Sequence, residues 1–230
     1  MDQYLLIIKK LKSFSNPKNV IGMARFGINP KGTLGVNLPV LRKIAKEIGK
    51  DHDLALKLWR SRIHEARILA CLIDKADWVK ERQIEEWVKD FDSWDVCDAV
   101  CLNLFCNHDL AISKCYQWSK RKKEFEKRAS FALMAALAVH RKDLKNTIFL
   151  KFLPIIEEAS DDDRNYVRKA VNWALRQIGK RNLFLRDVAL KTAKKILKRN
   201  TKSALWIAKD AIRELETDSV LKRLREKDIK

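Results

Sequence analysis

Apolar residues recur every three or four positions along most of this chain, which is the spacing of an amphipathic α-helix. No segment alternates apolar and polar residues between turns, so the pattern predicts no β-strand. Apolar spacing and capping residues together predict fourteen helices, near residues 3–14, 17–24, 38–48, 52–60, 62–74, 80–90, 93–106, 109–119, 123–140, 146–158, 162–179, 183–199, 203–215 and 217–227. The fold class is therefore expected to be all-α.

Several helix ends carry local signals in the sequence. Pro39 suits a first turn, Gly49 suits the end of a helix, and Ser93 and Asp109 are predicted to be N-caps. Many helices of about ten to eighteen residues with short connections favour stacked helix pairs of the HEAT or armadillo kind, whose repeat is ~40 residues. Internal repetition is faint, so a compact bundle is the alternative. A single repeat domain over residues 1–230 is expected.

The segment GINPKGTLG has the glycine spacing of a phosphate-binding Walker A loop, with Gly27 and Gly32 five residues apart. Thr33 stands where that motif requires its lysine, and no predicted strand precedes the segment. Its glycine and proline content is explained by turn geometry. We therefore predict an ordinary loop.

Charge is unevenly distributed along the chain. The formal net charge is +19, and residues 1–120 hold 20 Lys and Arg against 15 Asp and Glu, whereas residues 121–230 hold 29 against 15. Such an excess favours a polyanionic partner, nucleic acid first and an anionic membrane surface second, because neutralising phosphates releases counterions. A solvated lysine-rich surface is the alternative interpretation.

The sequence also indicates a cellular setting. No apolar run reaches the ~18 residues of a membrane span, and the N-terminal segment shows no signal-peptide cleavage site. We expect an intracellular, cytoplasmic chain, associated with the nucleoid in a prokaryote. The five cysteines form no C-x-x-C pair, which argues against a disulfide framework.

A zinc site among Cys97, Cys101, Cys106 and His108 is considered because these residues are close in sequence, but their spacing differs from that of zinc knuckles. We expect no metal and no cofactor. The four histidines show no triad or ligand spacing and are given no role. Four tryptophans are predicted to be core residues: Trp59, Trp87, Trp118 and Trp206.

One predicted helix, NYVRKAVNWALRQIGKRN, holds its tryptophan outside its apolar stripe. Trp173 lies about 120° from that stripe at 100° per residue. The stripe consists of Val167, Ala170, Val171, Ala174 and Ile178. The face that carries Trp173 is built from Lys169, Asn172, Arg176 and Lys180.

A second helix, which follows Ser93, carries a carboxylate on an apolar face. Trp94 and Asp98 are one turn apart, about 40° in projection. Cys101, Leu102 and Phe105 complete the same face. Burying a carboxylate without a partner costs several kcal/mol, so Asp98 either pairs with a cation or lines a cleft. Asp95, in the first turn, is explained by the helix dipole.

Arg128 stands at the start of a helix that is apolar on all sides from Ala129 to Val139, as expected of a buried central helix. Arg128 is either paired with Asp98 or Glu124, or acts as a phosphate clamp at the edge of a groove.

Five segments, in order, resemble a known family: GVNLPVLRKIAKEI, LWRSRIHEARILA, FDSWDVCDAVCLNLF, EKRASFALMAALAVH and RKAVNWALRQIGKRN. The chain resembles the AlkD-like DNA alkylation repair glycosylases, which are built from HEAT-like repeats. This resemblance implies a right-handed α-solenoid with a concave basic groove for duplex DNA. It also implies hydrolysis of the N-glycosidic bond of cationic N3- or N7-alkylated purines, without a closed pocket for the lesion.

The resemblance assigns roles residue by residue. The catalytic carboxylate of the family matches Asp98, and its two groove tryptophans match Trp94 and Trp173, so the resemblance predicts these three as the catalytic residues. The phosphate-contacting arginine matches Arg128, and Arg176 matches a basic residue beside the second tryptophan. Lys169, Arg176 and Lys180 are then expected to meet phosphates beside Trp173.

The resemblance therefore predicts a monomeric DNA-3-methyladenine/7-methylguanine-type glycosylase that acts on alkylated duplex DNA without a membrane or an obligate protein partner. The alternatives are a noncatalytic helical-repeat nucleic-acid-binding protein and a protein-interaction scaffold.

Overall fold

The computed structural model describes residues 2–228, and within them α-helices dominate and no strand occurs. The chain divides into two compact units, Met1–His108 (unit 1) and Asp109–Lys230 (unit 2). The helices described in unit 1 are α1 Gln3–Ser13, α2 Pro17–Arg25, α3 Leu38–Ile48, α4 His52–Arg60, α5 His64–Ile73, α6 Glu81–Lys89 and α7 Trp94–Asn103. Those of unit 2 are α8 Ala111–Ser119, α9 Glu124–His140, α10 Asn146–Glu158, α11 Asn165–Gly179, α12 Leu183–Leu197, α13 Lys202–Leu215 and α14 Asp218–Asp228.

Every predicted helix has a counterpart, and the all-α prediction is confirmed. Pro39 lies in the first turn of α3, and Gly49 ends that helix with a φ of 78°, a backbone conformation that glycine adopts without strain. Ser93 is the N-cap of α7. The prediction for Asp109 is wrong, because α8 begins two residues later and Leu110 occupies the N-cap position. A single domain over residues 1–230 stays a prediction.

In unit 1, α5 is the central helix and packs against α1, α3, α4 and α7. Its Glu65 is buried and reaches the loop predicted from GINPKGTLG, which is confirmed as a loop. The Glu65 carboxylate accepts the backbone N–H groups of Leu34, Gly35 and Val36, at 2.9, 2.6 and 3.2 Å. These successive N–H groups form a nest for an anion. The loop therefore binds a carboxylate of its own chain.

In unit 2, α9, α11 and α13 pack side by side, and α8, α10 and α12 pack against them. Helix α9 is buried on all sides from Ala129 to Ala138, which confirms it as a central helix. The apolar stripe of α11 is also fully buried, as predicted. A Cβ atom at Gly179 would lie 2.7 Å from a Leu215 methyl group, so glycine permits the close approach of α11 and α13.

Three of the four tryptophans predicted to be core residues are buried, namely Trp59, Trp87 and Trp118. Trp59 and Trp87 stack with their ring centroids 4.0 Å apart. The prediction for Trp206 is wrong, because its side chain is 38% exposed. No helix among residues 2–228 is long and apolar enough to cross a membrane.

Candidate nucleic-acid interface

Helix α7 places Trp94 and Asp98 on one face, as the sequence predicts, and both are half-buried. Cys101 and Phe105, further along that face, are buried. Asp98 thus lies where the core side of α7 meets its exposed side. The Trp94 indole Nε1 donates a hydrogen bond to the Phe26 carbonyl oxygen at 3.0 Å. This contact joins α7 to the end of α2, 68 residues earlier, and fixes the orientation of the indole ring.

Phe26 is a residue that the sequence reasoning missed. Its side chain is 75% exposed, the highest value among the large hydrophobic residues described. It follows α2 directly and precedes Gly27, whose φ of 76° turns the chain. The signal available in the sequence was an aromatic residue next to a glycine at the end of a predicted helix, a position where a side chain is often exposed. Phe26 therefore adds an exposed ring next to the Trp94 face.

An ion pair between buried His64 and half-buried Asp95 holds the start of α7 against α5. The Asp95 carboxylate lies 2.8 Å from His64 Nε2, and its other oxygen accepts the Val96 N–H at 3.0 Å and the Ser93 hydroxyl. Burial alone would lower the pKa of His64, but its hydrogen bond to Asp95 and the charge of Asp95 raise that pKa overall. Burial alone would raise the pKa of Asp95, but its hydrogen bond to His64 and the charge of His64 lower that pKa overall. His64, to which the sequence assigned no role, therefore anchors the candidate catalytic helix.

Arg128 lies in the first half of α9 and is only 5% exposed. Its guanidinium donates a hydrogen bond to the Tyr166 carbonyl oxygen at 2.7 Å, and the Tyr166 N–H binds Glu124 Oε1 at 3.1 Å. Arg128 and Glu124 thus contact the same residue of α11. A role of Arg128 in phosphate binding stays a prediction.

On α11, Trp173 is half-buried and Lys169 is exposed. With the Gln177 amide oriented to accept, its oxygen lies 3.2 Å from both Trp173 Nε1 and Lys180 Nζ. The Trp173 N–H is therefore satisfied by a side chain rather than by the backbone.

The polar side of α11 is partly covered by α13, which the sequence did not indicate. Asn172 is 1% exposed and donates to Asp210 at 2.7 Å, so its expected place on a face away from the core is wrong. Arg176 contacts Asp210 at 3.7 Å and also pairs with Glu214. Lys180 Nζ lies 2.5 Å from Glu214 Oε1. Two of the predicted phosphate-binding cations are therefore held by one carboxylate.

Glu214 is charged in this arrangement. Burial would raise its pKa, but hydrogen bonds and charge from Lys180 and Arg176 lower it. A carboxylate bound by an arginine and a lysine presents the acceptor oxygens that a DNA phosphate would present to the same pair.

The five cysteines are buried and form no disulfide among residues 2–228, and burial raises the pKa of the Cys71 and Cys115 thiols. His108 Nε2 lies 2.9 Å from the Val79 carbonyl oxygen. Within residues 2–228, no three potential His, Cys, Asp or Glu ligands come together.

The chain belongs to the DNA alkylation repair enzyme family, whose model matches residues 7–215. A solved structure described as "A new family of proteins related to the HEAT-like repeat DNA glycosylases with affinity for branched DNA structures" matches with a TM-score of 0.77 and 16% identity. That match covers 93% of this chain and 95% of the other. A designed armadillo repeat protein, with 17% identity over 76% of this chain and 92% of its own, has a TM-score of only 0.35 and carries no argument. No curated protein matches the sequence.

These comparisons confirm the predicted family and the HEAT-like-repeat class of fold. The bundle alternative is thereby set aside. The right-handed solenoid, its concave basic groove and the roles assigned to single residues stay predictions.

Proposed function

We propose that this protein is a DNA glycosylase that hydrolyses the N-glycosidic bond of cationic N3- or N7-alkylated purines in duplex DNA, as a monomer without metal or cofactor. The observation that carries the proposal is that Trp94 and the half-buried carboxylate of Asp98 share one face of α7. This arrangement occurs in a chain of the DNA alkylation repair enzyme family. The Phe26 carbonyl and the His64–Asp95 pair hold that face in place.

The residues suit the chemistry of a cationic leaving group. An alkylated purine already carries positive charge, so it departs with the bonding electrons without protonation by an acid. Positive charge then develops on the deoxyribose, and a preorganised carboxylate such as that of Asp98 stabilises it. Water adds to the sugar carbon and loses a proton, which completes the hydrolysis. A neutral base would leave poorly at such a site, and we therefore expect narrow substrate scope.

Unit 2 supplies the cations for binding DNA. Residues 109–230 hold 31 Lys and Arg against 16 Asp and Glu, compared with 18 against 14 in residues 1–108. We propose that Lys169, Arg176 and Lys180 contact phosphates around Trp173, whose ring lies against a deoxyribose. In this proposal Arg128 contacts a phosphate of the same DNA strand. Binding would then depend strongly on salt, because each phosphate contact releases counterions.

A second candidate function is DNA binding without catalysis. It is favoured by the structural relative, which shares the fold and is described as having affinity for branched DNA structures. A protein-interaction scaffold is the third candidate, and it has no supporting observation beyond the repeat fold.

Release of free bases separates the candidates. Methylated duplex DNA is incubated with excess protein, with and without a chelator, and released 7-methylguanine and 3-methyladenine are measured by mass spectrometry. We expect both bases to be released in both conditions. DNA binding without release of bases would favour the noncatalytic DNA-binding protein. No DNA binding even at low salt would favour the protein-interaction scaffold. Release abolished by the chelator and restored by zinc would overturn the metal-free mechanism.

A further inference from the structure

Trp206 is an exposed tryptophan that lies on the polar side of α13 and outside the core. The buried apolar residues of α13 lie about 100° to 180° away from Trp206 around the helix at 100° per residue. That buried stripe consists of Ala204, Ile207, Ala208, Ala211 and Leu215. Trp206 stays 38% exposed on the polar side of the helix, so part of a large aromatic ring remains in water instead of being buried in the core.

Cationic residues flank Trp206 along the exposed side of α13. Lys202, Lys209 and Arg213 are exposed and lie within about 60° of one another and of Trp206. The four residues, here called the α13 stripe, extend over roughly 16 Å at 1.5 Å per residue. Lys202 and Lys209 form no ion pair with the residues that the structure describes, whereas Arg213 pairs with Asp210.

Helix α11 fixes the orientation of the indole ring. The Arg168 guanidinium carbon lies 4.9 Å from the centroid of the Trp206 ring, a cation–π contact. Arg168 Nε is buried and has no hydrogen-bond partner among the described residues. The guanidinium therefore adds one more cation and covers one face of the indole, and the part of the ring that remains exposed is what a ligand can reach.

We propose that the α13 stripe binds single-stranded DNA, with an unpaired base stacked on Trp206 and the adjoining phosphates on Lys202 and Lys209. Base–aromatic stacking combined with cations is how sequence-tolerant single-strand binding is built. Bases of an intact duplex are already stacked inside the helix, so an indole on a surface can stack only on an unpaired base. The site goes beyond the proposed glycosylase function and does not involve Asp98.

The charges and the single apolar residue select this occupant over others. A membrane surface would require several exposed apolar residues on the face, and the α13 stripe has only Trp206. The strand's phosphates match the unpaired lysines in charge.

The test compares two exposed tryptophans that each lie beside a cation. Trp206→Ala removes the ring of the α13 stripe, and Trp78→Ala is the matched control in unit 1, where Trp78 is 47% exposed and Lys75 Nζ lies 5.1 Å from its ring centroid. Affinities for a single-stranded oligonucleotide and a blunt duplex are measured by fluorescence anisotropy, with melting temperatures as a folding control.

We expect Trp206→Ala to weaken single-strand binding by roughly 5- to 150-fold, since one stacked base contributes about 1–3 kcal/mol. Trp206→Phe should restore part of it, and Trp78→Ala should bind as the wild type does. Blunt-duplex affinity and excision should not change in any of these variants. Replacing Lys202 and Lys209 together by alanine should reduce the slope of log affinity against log salt concentration for single strands by about 1.4, because each lost phosphate contact contributes ~0.7.

Three results would overturn the inference: no single-strand binding by the wild type, unchanged binding by Trp206→Ala, or an equal loss with the blunt duplex. Excision is scored separately. If single strands bind through Trp206 while methylated duplex releases no base, the proposed function fails and the α13 stripe stands. If methylated duplex releases bases but single strands do not bind through Trp206, the proposed function stands and only the inference about the α13 stripe fails.

Discussion

The two units of this chain differ in how their polar residues are used. Unit 1 carries a formal excess of only four positive charges, and its polar groups pair inside the fold, as His64 with Asp95 and Glu65 with a backbone nest. Unit 2 carries an excess of fifteen, much of it on exposed lysines such as Lys169, Lys202 and Lys209. Buried pairs fix geometry, whereas exposed cations provide attraction over a distance. Under the proposed function, this difference assigns the catalytic carboxylate, Asp98, to unit 1 and most of the phosphate contacts to unit 2.

The two tryptophans assigned to the site show the same contrast. Trp94 donates its N–H to a backbone carbonyl, which cannot rotate away. Trp173 donates to the Gln177 side chain, and its neighbours Arg176 and Lys180 contact another side chain, Glu214. We infer that the Trp94 face is preorganised and that the Trp173 face rearranges when phosphate arrives.

The largest effect is expected at Asp98 in unit 1. Asp98→Asn is nearly isosteric and removes one preorganised charge, so we expect the excision rate to fall by about 10²- to 10³-fold. Duplex affinity should be retained, because the lost charge repels phosphate. Single-turnover excision of 7-methylguanine measures the rate. Asp109→Asn, at an exposed carboxylate, is the matched control and should excise at the wild-type rate.

A smaller effect, on stability and pH dependence, is expected at His64. His64→Gln removes the cation that pairs with Asp95, and hydrogen bonds to charged groups contribute about 1.5–3 kcal/mol. Because the folded-state pKa of His64 is raised, the pair stabilises fully below the ordinary histidine pKa, and this stability is lost as pH rises through the raised value. At the acid end it is lost as pH falls through the lowered pKa of Asp95.

The measurement is denaturant unfolding of wild type and His64→Gln at pH 6 and pH 9. We expect the difference in unfolding free energy to be larger at pH 6. His140→Gln, at the exposed end of α9, controls for the loss of a histidine and should show little difference at either pH. A His64→Gln difference that is the same at both pH values would mean that the pair is not ionic.

The smallest effect is expected at Glu214 in unit 2. Glu214→Gln removes the carboxylate that holds Arg176 and Lys180, and we expect duplex affinity to rise roughly two- to fivefold, the range of a partly exposed ion pair. Glu216→Gln, two residues further along the chain, removes the same charge at an exposed position just after α13. Anisotropy titrations at two salt concentrations compare the variants. Equal gains in both would show only a general charge effect and not competition between Glu214 and phosphate.

Local patterns in the sequence predicted the helices well, because apolar spacing and caps act within a few residues. The face of α7 with Trp94 and Asp98 followed from the same spacing. The error at Trp206 was avoidable, since the buried stripe of α13 is visible in the sequence on the opposite side. The contacts that hold the candidate site in place could not be predicted from the sequence. Phe26 and Trp94 are 68 residues apart, and His64 and Asp95 are 31 apart, so their contacts depend on tertiary packing.

Packing also explains the error on the polar side of α11. Arg176 and Lys180 read as free cations because the carboxylate that binds them, Glu214, lies 34 to 38 residues further on. Only the packing of α13 against α11 brings them together. Counting charges in the sequence therefore overstated the cations available to DNA on this face.

The division of roles between the units is tested most directly by single-turnover excision measured over a range of protein concentrations. Asp98→Asn in unit 1 is compared with Lys169→Ala in unit 2, on the same 7-methylguanine duplex. Asp98→Asn should lower the plateau rate and leave the half-saturating concentration unchanged, and Lys169→Ala should raise that concentration and leave the plateau unchanged. If Asp98→Asn reaches the wild-type plateau, Asp98 has no part in catalysis and the account is contradicted.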